Sequence, residues 1–178
     1  MLYSELQCSD AIHKAVERMG FAEMTEIQEK TIPVMMAGYD VIAKAPTGTG
    51  KTCAFGIPVA EHILPENKYP QAVIMAPTRE LAQQIAQELE ELTYFMPEVQ
   101  VACVYGGANI EKQAKRLAEG CQIVVATPGR LMDHYKHHSI DISHVTQIVL
   151  DEADEMLNMG FYLSLIHISE PTRRVVIS

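Results

Sequence analysis

One short segment limits the possible folds of this chain more than any other. Residues 45–52 read Ala-Pro-Thr-Gly-Thr-Gly-Lys-Thr. The five residues before this segment, 40–44, are typical of a short buried strand, and residues 52–57 are typical of the start of a helix. A strand, a glycine-rich loop and a helix in this order form the supersecondary unit that holds phosphate groups in α/β proteins.

The loop binds phosphate mainly through its backbone. Gly48 and Gly50 allow backbone conformations that a Cβ would exclude, so their N–H groups can converge on phosphate oxygens at the helix start. Lys51 adds a positive charge toward the β- and γ-phosphates, and the Thr52 hydroxyl is a candidate magnesium ligand. The general pattern begins with glycine, whereas Ala45 occupies that position here. The alternative is an ordinary loop with this spacing by chance.

A second segment supplies acidic groups. Residues 147–150 form an apolar run of strand type, and Asp151 and Glu152 follow it directly. Carboxylates at the carboxyl end of a parallel strand lie on the ligand-binding edge of an α/β sheet. Asp151 would hold Mg²⁺, partly through water, and Glu152 would orient or deprotonate the attacking water. The alternative is a solvated first turn of a helix, where acidic residues are favoured.

Composition limits the class of protein. The chain has 178 residues, 48% of them hydrophobic, which suits one α/β domain with a sizeable core. The sequence has no apolar run long enough to span a membrane and no signal-peptide pattern at its start, so we expect a cytoplasmic protein without a membrane partner. A net charge of −9 argues against a domain that holds nucleic acid by bulk electrostatics, although local backbone contacts remain open.

Neither the cysteines nor the histidines form a metal-ligand pattern. The four cysteines are isolated and are expected to be small hydrophobic residues in a reducing compartment. His134, His137 and His138 lie close together, but no Cys or acid completes a metal site. We therefore expect these three histidines to lie at a solvated helix end.

Strand and helix patterns alternate along the chain, which predicts an α/β fold with a mostly parallel sheet covered by helices on both faces. Three predicted strands end in polar or glycine motifs: residues 77–82 (Pro-Thr-Arg-Glu-Leu-Ala), 106–107 (Gly-Gly) and 127–130 (Thr-Pro-Gly-Arg). Arginine side chains there are suited to phosphate contacts, and the glycines allow close approach of a backbone. For each motif alone, a helix cap or a turn explains the residues equally well.

Taken together, these motifs resemble those of the DEAD-box ATP-dependent RNA helicases of bacterial type. The resemblance adds residues 20–28, where it implies that Phe21 packs on adenine and that Gln28 hydrogen-bonds the edge of the base. Met24 stands where the family usually has proline, and Ala45 fits the family's version of the phosphate loop. The resemblance thus implies ATP and Mg²⁺ as ligands, with these ATP-binding residues: Phe21, Gln28, Thr47, Gly48, Thr49, Gly50, Lys51 and Thr52. It implies catalytic roles for Lys51, Asp151 and Glu152, and magnesium ligation by Thr52 and Asp151.

The three strand-end motifs match the family's RNA-contacting segments in order and spacing. The residues that this implies for RNA binding are Pro77, Thr78, Arg79, Gly106, Gly107, Thr127, Pro128, Gly129 and Arg130. The family has two RecA-like domains, and the resemblance places this chain in the first, truncated at its carboxyl end. RNA binding by this chain alone should be weak and limited to backbone contacts, because the second RecA-like domain, which completes the clamp and supplies arginines to the γ-phosphate, is absent.

The last residues do not follow the family. Residues 1–162 fit an N-terminal RecA-like helicase domain with an adenine-reading segment, but the family's Ser-Ala-Thr triplet is missing after them. Back-translated, the sequence from Leu163 resembles an adapter used in transposase-based DNA library preparation. We therefore expect residues 163–178 to be a non-native tail and the centre of the sheet to lack a strand. The alternative is a divergent natural tail, whose Val-Val-Ile-Ser end at residues 175–178 could imitate the missing strand.

Three functions remain open at this stage. The first is one half of an ATP-dependent RNA helicase, an enzyme that couples ATP hydrolysis to RNA unwinding. The second is a binding module that holds ATP and RNA without turnover, and the third is a DNA-directed helicase of the same superfamily. The resemblance in residues 21–28 and the full Asp-Glu-Ala-Asp tetrad at residues 151–154 favour RNA.

Overall fold

The structure is a computed structural model that describes residues 1–46 and 48–160, and the backbone of residues 175–177. Within this part of the chain, six strands form one sheet in the order β1-β6-β5-β2-β4-β3, and every neighbouring pair is parallel. The strands are β1 (Val41–Ile42), β2 (Ala72–Met75), β3 (Val101–Val104), β4 (Ile123–Ala126), β5 (Gln147–Leu150) and β6 (Val175–Ile177). The predicted parallel α/β architecture is confirmed.

Helices alternate with these strands. They are α1 (Asp10–Arg18), α2 (Glu26–Met36), α3 (Lys51–Glu61), α4 (Arg79–Leu92), α5 (Ile110–Ala118), α6 (Pro128–Lys136) and α7 (Ala153–Asn158), preceded by a 3₁₀ turn at Tyr3–Glu5. Three of them begin at side chains of the types that favour helix starts. The side chains of Ser9, Thr78 and Asn109 accept hydrogen bonds from backbone N–H groups in the first turns of α1, α4 and α5.

The sheet separates two hydrophobic cores. On β2, Ala72 and Ile74 face one core, whereas Val73 and Met75 face the other, because successive side chains of a strand point to opposite faces. The first core contains buried side chains of α1 to α4, and the second contains those of α5 to α7. All four residues of β2, β4 and β5 are buried, as expected for strands that are covered on both sides.

The centre of the sheet differs from the expectation of a missing strand. The backbone of β6 lies between β1 and β5, with Val176 in register with Val41 on one side and with Val149 on the other. The backbone groups that a missing strand would leave unpaired therefore have partners. Residues 175–177 occupy this interior position between β1 and β5, whatever their origin.

The expectation for the histidines is wrong for His134. This side chain is fully buried on α6, whereas His137 and His138 are exposed as predicted. The His134 ring lies within hydrogen-bond distance of Gln113 Oε1 (3.1 Å from Nε2) and Ser139 Oγ (2.7 Å from Nδ1). Sequence spacing within α6 could not show these partners. Among the described residues, no cluster of His, Cys, Asp and Glu could hold a metal ion.

All four cysteines are free thiols, and two of them, Cys53 and Cys121, are buried. Burial raises the pKa of Cys53 to about 12 and that of Cys121 to about 11, so both remain protonated. This agrees with their expected role as small hydrophobic residues. No helix within the described ranges is long and apolar enough to cross a membrane.

Candidate nucleotide site and strand-end loops

The phosphate loop connects β1 to α3 and ends in two glycines with positive φ. Gly48 and Gly50 both have φ of 80°, and Gly50 is the N-cap of α3. A Cβ on Gly50 would lie 2.3 Å from Gln28 Nε2, whereas a Cβ on Gly48 would meet nothing within 4 Å. Glycine is therefore required at position 50 for two reasons, its backbone conformation and the close approach of α2. Thr47 lies outside the described residues.

Two side chains from residues 20–28 hold this loop in place. Thr25 Oγ1 donates to the Thr49 carbonyl at 2.8 Å, and Gln28 Nε2 donates to the Gly50 carbonyl at 3.0 Å. The Thr49 hydroxyl closes the loop on itself through a 2.7 Å bond to the Pro46 carbonyl. The position of the loop is thus linked to the first turn of α2.

The oxygen and the nitrogen of the Gln28 amide are both bonded within the protein. The side chain is 3% exposed, and its Oε1 accepts from the Tyr3 hydroxyl at 2.7 Å and from the Thr25 backbone N–H at 2.9 Å. Tyr3 in turn stacks on Phe21, with ring centroids 6.4 Å apart, and Phe21 is exposed. Sequence analysis missed both Tyr3 and Thr25. Thr25 could have been found, because Thr-x-x-Gln before an apolar run is a capping-box pattern.

The acidic segment lies beside the phosphate loop. Lys51 Nζ and Asp151 Oδ1 are 3.6 Å apart, and both side chains are largely buried. Asp151 follows β5 directly and is fixed by its backbone N–H, which donates to the Met75 carbonyl at 2.9 Å. Glu152 has left-handed backbone angles, with φ of 53° and ψ of 49°, and it is the N-cap of α7. Non-glycine residues adopt this conformation rarely, and such positions concentrate at functional sites.

These groups line one cleft with a volume of about 470 Å³. The structure brings together eight of the predicted residues there: Phe21, Gln28, Gly48, Gly50, Lys51, Thr52, Asp151 and Glu152. Leu81, Gln84 and Glu88 of α4 also line the cleft. Leu81 lies in the motif at residues 77–82, whereas nothing in the sequence pattern pointed to Gln84 and Glu88. The predicted Thr49 contributes through the loop hydrogen bonds described above.

The oxygen donors of the cleft fit a magnesium ion that binds together with a phosphate-containing ligand. The Thr52 hydroxyl and the Asp151 carboxylate are hard oxygen donors at the same cleft. The described part of the chain has no cage of three acidic, His or Cys ligands. Mg²⁺ commonly binds through one or two protein oxygens together with phosphate oxygens and water, which is the arrangement that these groups permit.

The three strand-end motifs follow β2, β4 and β3, which are neighbours in the sheet. Because these strands are parallel, the motifs lie side by side on the same edge as the cleft. Five residues of these motifs are exposed: Thr78, Arg79, Gly106, Gly107 and Gly129. Pro77 and Pro128 are buried, and Thr127 is half-buried. Arg79 lies over the Tyr105 ring at 5.5 Å. The ligand edge therefore has a cleft at one end and a row of loops at the other.

Arg130 points into the protein. Its Nη1 donates to the Ala108 carbonyl at 2.9 Å and to Gln113 Oε1 at 3.1 Å, and its Nε lies 3.7 Å from an Asp133 carboxylate oxygen. The side chain is 12% exposed. The guanidinium thus joins two of the strand-end loops to each other.

The chain is similar to known proteins in both sequence and structure. The sequence pattern of the DEAD/DEAH box helicase family matches residues 25–178. The chain belongs to the DEAD/DEAH box helicase family. Its RecA-like fold agrees with solved members: a DEAD box protein from Methanococcus jannaschii superposes with a TM-score of 0.89 at 39% identity, covering 100% of this chain and 50% of that one.

Curated relatives of this family member carry the name ATP-dependent RNA helicase CshA. The protein of Limosilactobacillus reuteri is 53% identical over 161 residues, and that of Listeria monocytogenes is 52% identical over 159 residues. These matches cover 90% and 89% of this chain but only 32% and 30% of the relatives. The chain therefore spans about a third of the length of the helicases it resembles.

Proposed function

We propose that this chain is the ATP-binding half of an ATP-dependent RNA helicase. The observation that carries the proposal is the convergence of Lys51, Asp151 and Glu152 with the adenine-reading segment in one cleft. The CshA relatives are named as ATP-dependent RNA helicases, which supports both the nucleotide and the RNA. The parent activity would couple ATP hydrolysis to the separation of RNA strands.

In this proposal each cleft residue has a distinct task. The Lys51 ammonium binds the β- and γ-phosphates in place of its present partner Asp151, and the loop amides near Gly48 and Gly50 bind phosphate oxygens. Mg²⁺, held by Thr52 and by Asp151 partly through water, would neutralise charge on the phosphates. Glu152 orients the attacking water and accepts its proton.

Adenine recognition is assigned to Phe21 and Gln28. The exposed Phe21 ring offers a face for stacking, and Gln28 lies at the same end of the cleft. Gln28 Oε1 already accepts two bonds, so accepting a bond from a base would require an exchange, whereas Nε2 carries a second N–H besides the one bonded to Gly50. Because Nε2 also bonds to the Gly50 carbonyl, a contact between Gln28 and adenine would connect base binding to the phosphate loop.

RNA is assigned to the row of loops after β2, β4 and β3. Thr78, Arg79 and the exposed glycines at 106, 107 and 129 offer donors to a phosphate backbone. The net charge of −9 predicts low affinity for this chain alone. In the parent protein a second RecA-like domain would complete the RNA clamp and supply arginines to the γ-phosphate.

A second candidate is that this chain, taken by itself, binds ATP and RNA without turnover. The observation that favours it is the coverage of about 32% of the related helicases. An arginine supplied by another domain can be worth roughly 10³ to 10⁵ in rate. RNA-stimulated ATPase, measured on this chain and on a full-length relative, separates the two candidates, and a DNA oligonucleotide in place of RNA tests the DNA-directed alternative.

We also propose a cytoplasmic location, because free thiols are typical of proteins in a reducing compartment.

Replacement of the phosphate-loop lysine tests the proposal directly. Lys51→Ala should weaken binding of a fluorescent ATP analogue by roughly tenfold to a hundredfold, because a charge-assisted contact with phosphate is lost. Lys44→Ala removes an exposed lysine directly before the phosphate loop and should leave the affinity for the ATP analogue unchanged. Thermal unfolding of both variants checks that each is folded. Equal affinity of the unmutated chain for ATP and GTP would contradict the adenine assignment while leaving the phosphate site in place.

A further inference from the structure

A buried amide connects two of the strand-end loops. Gln113 lies on α5 and is 8% exposed. Its Nε2 donates to the Tyr105 carbonyl at 3.0 Å, at the end of β3. Its Oε1 accepts from Arg130 Nη1 and from His134 Nε2, both at 3.1 Å, on α6. One side chain thus bridges the loop after β3 and the helix that follows β4.

The chemistry of the partners fixes the orientation of this amide. The Tyr105 carbonyl is an acceptor only, so the amide nitrogen of Gln113 must face it. The guanidinium of Arg130 is a donor only, so the amide oxygen must face α6. The oxygen's two lone pairs are then occupied by Arg130 and by His134, whose Nε2 must carry a proton. Burial, with the nearby Arg130 as a smaller cause, lowers the pKa of His134 and keeps the ring neutral.

The glycine turn between β3 and α5 depends on these bonds. Gly106 and Gly107 are exposed, and a Cβ on either would meet nothing within 4 Å, so packing does not hold them. The carbonyl before the pair, that of Tyr105, is held by Gln113. The carbonyl after the pair, that of Ala108, is held by Arg130, which also bonds to Gln113. The turn is therefore fixed at both ends by one connected set of side chains.

Gln113 bonds to both turns from a buried position on α5. The other buried side chain of α5 is Leu117, whereas Ile110, Ala114 and Arg116 are half-buried. Leu117 packs in the core near the other end of the helix and makes no bond to the turn. A backbone bond from the Thr127 N–H to the Val104 carbonyl at 3.1 Å also links the two strand ends, and Gln113 adds a buried side-chain link farther along the turn after β3.

We infer that Gln113 is a positioning residue for RNA. It holds the Gly106–Gly107 turn and the turn at residues 127–130 at the spacing at which their backbone groups contact one phosphate backbone together. Arg130 acts in the same set through its bonds to Gln113 and Ala108 rather than as a free phosphate ligand. The inference rests on the proposed RNA-binding function and names the group on which the arrangement of that surface depends.

The test compares two variants of the same helix. Gln113→Leu removes all three bonds of the amide and should weaken binding of a labelled oligouridylate to this chain by about tenfold. Affinity for a fluorescent ADP should change by less than about twofold, since the cleft lies at the other end of the sheet edge. Leu117→Ala removes packing from α5 but keeps both carbonyl bonds, and its RNA affinity should stay within about twofold of the unmutated chain.

NMR gives a second readout that does not depend on RNA. The amide resonances of Gly106 and Gly107 should shift in Gln113→Leu and remain in place in Leu117→Ala. If Gln113→Leu does not fold, Gln113→Glu retains the acceptor for α6 and loses only the donor to Tyr105, and it should show the same two effects. If Leu117→Ala does not fold, Leu117→Val serves as the control in its place.

Each outcome decides the question. RNA affinity that is unchanged in Gln113→Leu, or lowered equally in Leu117→Ala, overturns the positioning role and leaves the proposed function standing. Glycine resonances that do not move in Gln113→Leu also overturn it. If the unmutated chain binds no RNA, then the proposed RNA surface fails, and the positioning role fails with it even when the glycine resonances respond as expected.

Discussion

At the scale of single residues, Glu152 combines a rare backbone conformation with a position in the cleft. Its φ of 53° turns the chain from β5 into α7, so that Asp151 and Glu152 both reach the cleft from adjacent positions. Left-handed conformations of non-glycine residues cost of order 1–3 kcal/mol and persist where the surrounding structure imposes them. The placement is consistent with a functional role for this carboxylate.

Glu152→Gln tests that role, since the amide keeps the shape but cannot accept a proton. In a full-length protein that contains this domain, the ATPase kcat should fall by roughly 10² to 10⁴, with ATP affinity retained. Glu155→Gln on the exposed side of α7 is the matched control and should leave kcat unchanged. Turnover near the unmutated rate in Glu152→Gln would remove this residue from the mechanism.

The two glycines of the phosphate loop differ in a measurable way. Both have φ of 80°, so Ala at either position should cost about 1–2 kcal/mol of unfolding free energy. Gly50→Ala should cost more than Gly48→Ala, because its Cβ would meet Gln28 Nε2 at 2.3 Å and break the bond from α2 to the loop. Urea unfolding without nucleotide measures both. Equal losses would show that Gln28 moves aside at no cost.

At the scale of elements, helix caps could be predicted from local sequence, whereas contacts between residues far apart in the sequence could not. The helix starts at Ser9 and Thr78 could be predicted, because a capping side chain and its N–H partner are three residues apart. The burial of His134 could not, because it depends on Gln113, 21 residues earlier on another helix. The same holds for Tyr3, whose bond to Gln28 spans 25 residues. Motif residues of the site and the cap at Thr25 were predictable from local sequence, whereas Tyr3 and Gln113, which bond to distant residues, were not.

The buried histidine predicts a pH dependence of stability. Burial lowers the pKa of His134 below its ordinary value of 6.5, so the unfolded chain binds this proton more readily than the folded chain. The buried, neutral His134 ring therefore stabilises the folded chain fully above pH 6.5, and this stabilisation is lost as the pH falls below that value. His134→Gln keeps an amide donor but does not titrate. The Tm difference between the two proteins should change between neutral and mildly acidic pH, and a constant difference would contradict the prediction.

At the scale of the whole molecule, the sheet order places the two proposed ligand sites along one edge. The phosphate loop and Asp151 follow β1 and β5, at one end of the edge, and the proposed RNA loops follow β2, β4 and β3, at the other. The Asp151 backbone is fixed by Met75 of β2, so the boundary between the two regions is a single strand pair. The proposed nucleotide site and the proposed RNA surface therefore lie on neighbouring parts of one edge and meet at α4, where Leu81 lines the cleft.

The origin of residues 163–178 remains our proposal, namely that they are translated adapter sequence. Genomic DNA of the source across codons 155–178 tests it. An adapter origin predicts that the genomic reading frame departs from the printed sequence after about codon 162, at the first codons of the adapter-like run. A genomic frame that continues through Ser178 unchanged would establish a natural tail. The central strand would then be native as well.

Whatever its origin, β6 should decide whether this chain folds. Its backbone pairs with β1 and β5 on both sides, so a proline at Val176 would remove an N–H donor from an interior strand and leave a carbonyl unpaired, at about 1–3 kcal/mol for that group alone. Against a total stability of about 5–15 kcal/mol for an ordinary complete domain, a chain with so short a central strand has little reserve. We expect Val176→Pro to unfold without a cooperative transition.

Val176→Thr is the control for this change, because it keeps the N–H group and the β-branched shape and should retain the transition of the unmutated chain. Circular dichroism during heating measures all three proteins. A sharp transition in Val176→Pro would mean that β6 is dispensable for the fold. Robust RNA-dependent ATP turnover by the unmutated chain would contradict the separate expectation that hydrolysis needs arginines from a second RecA-like domain.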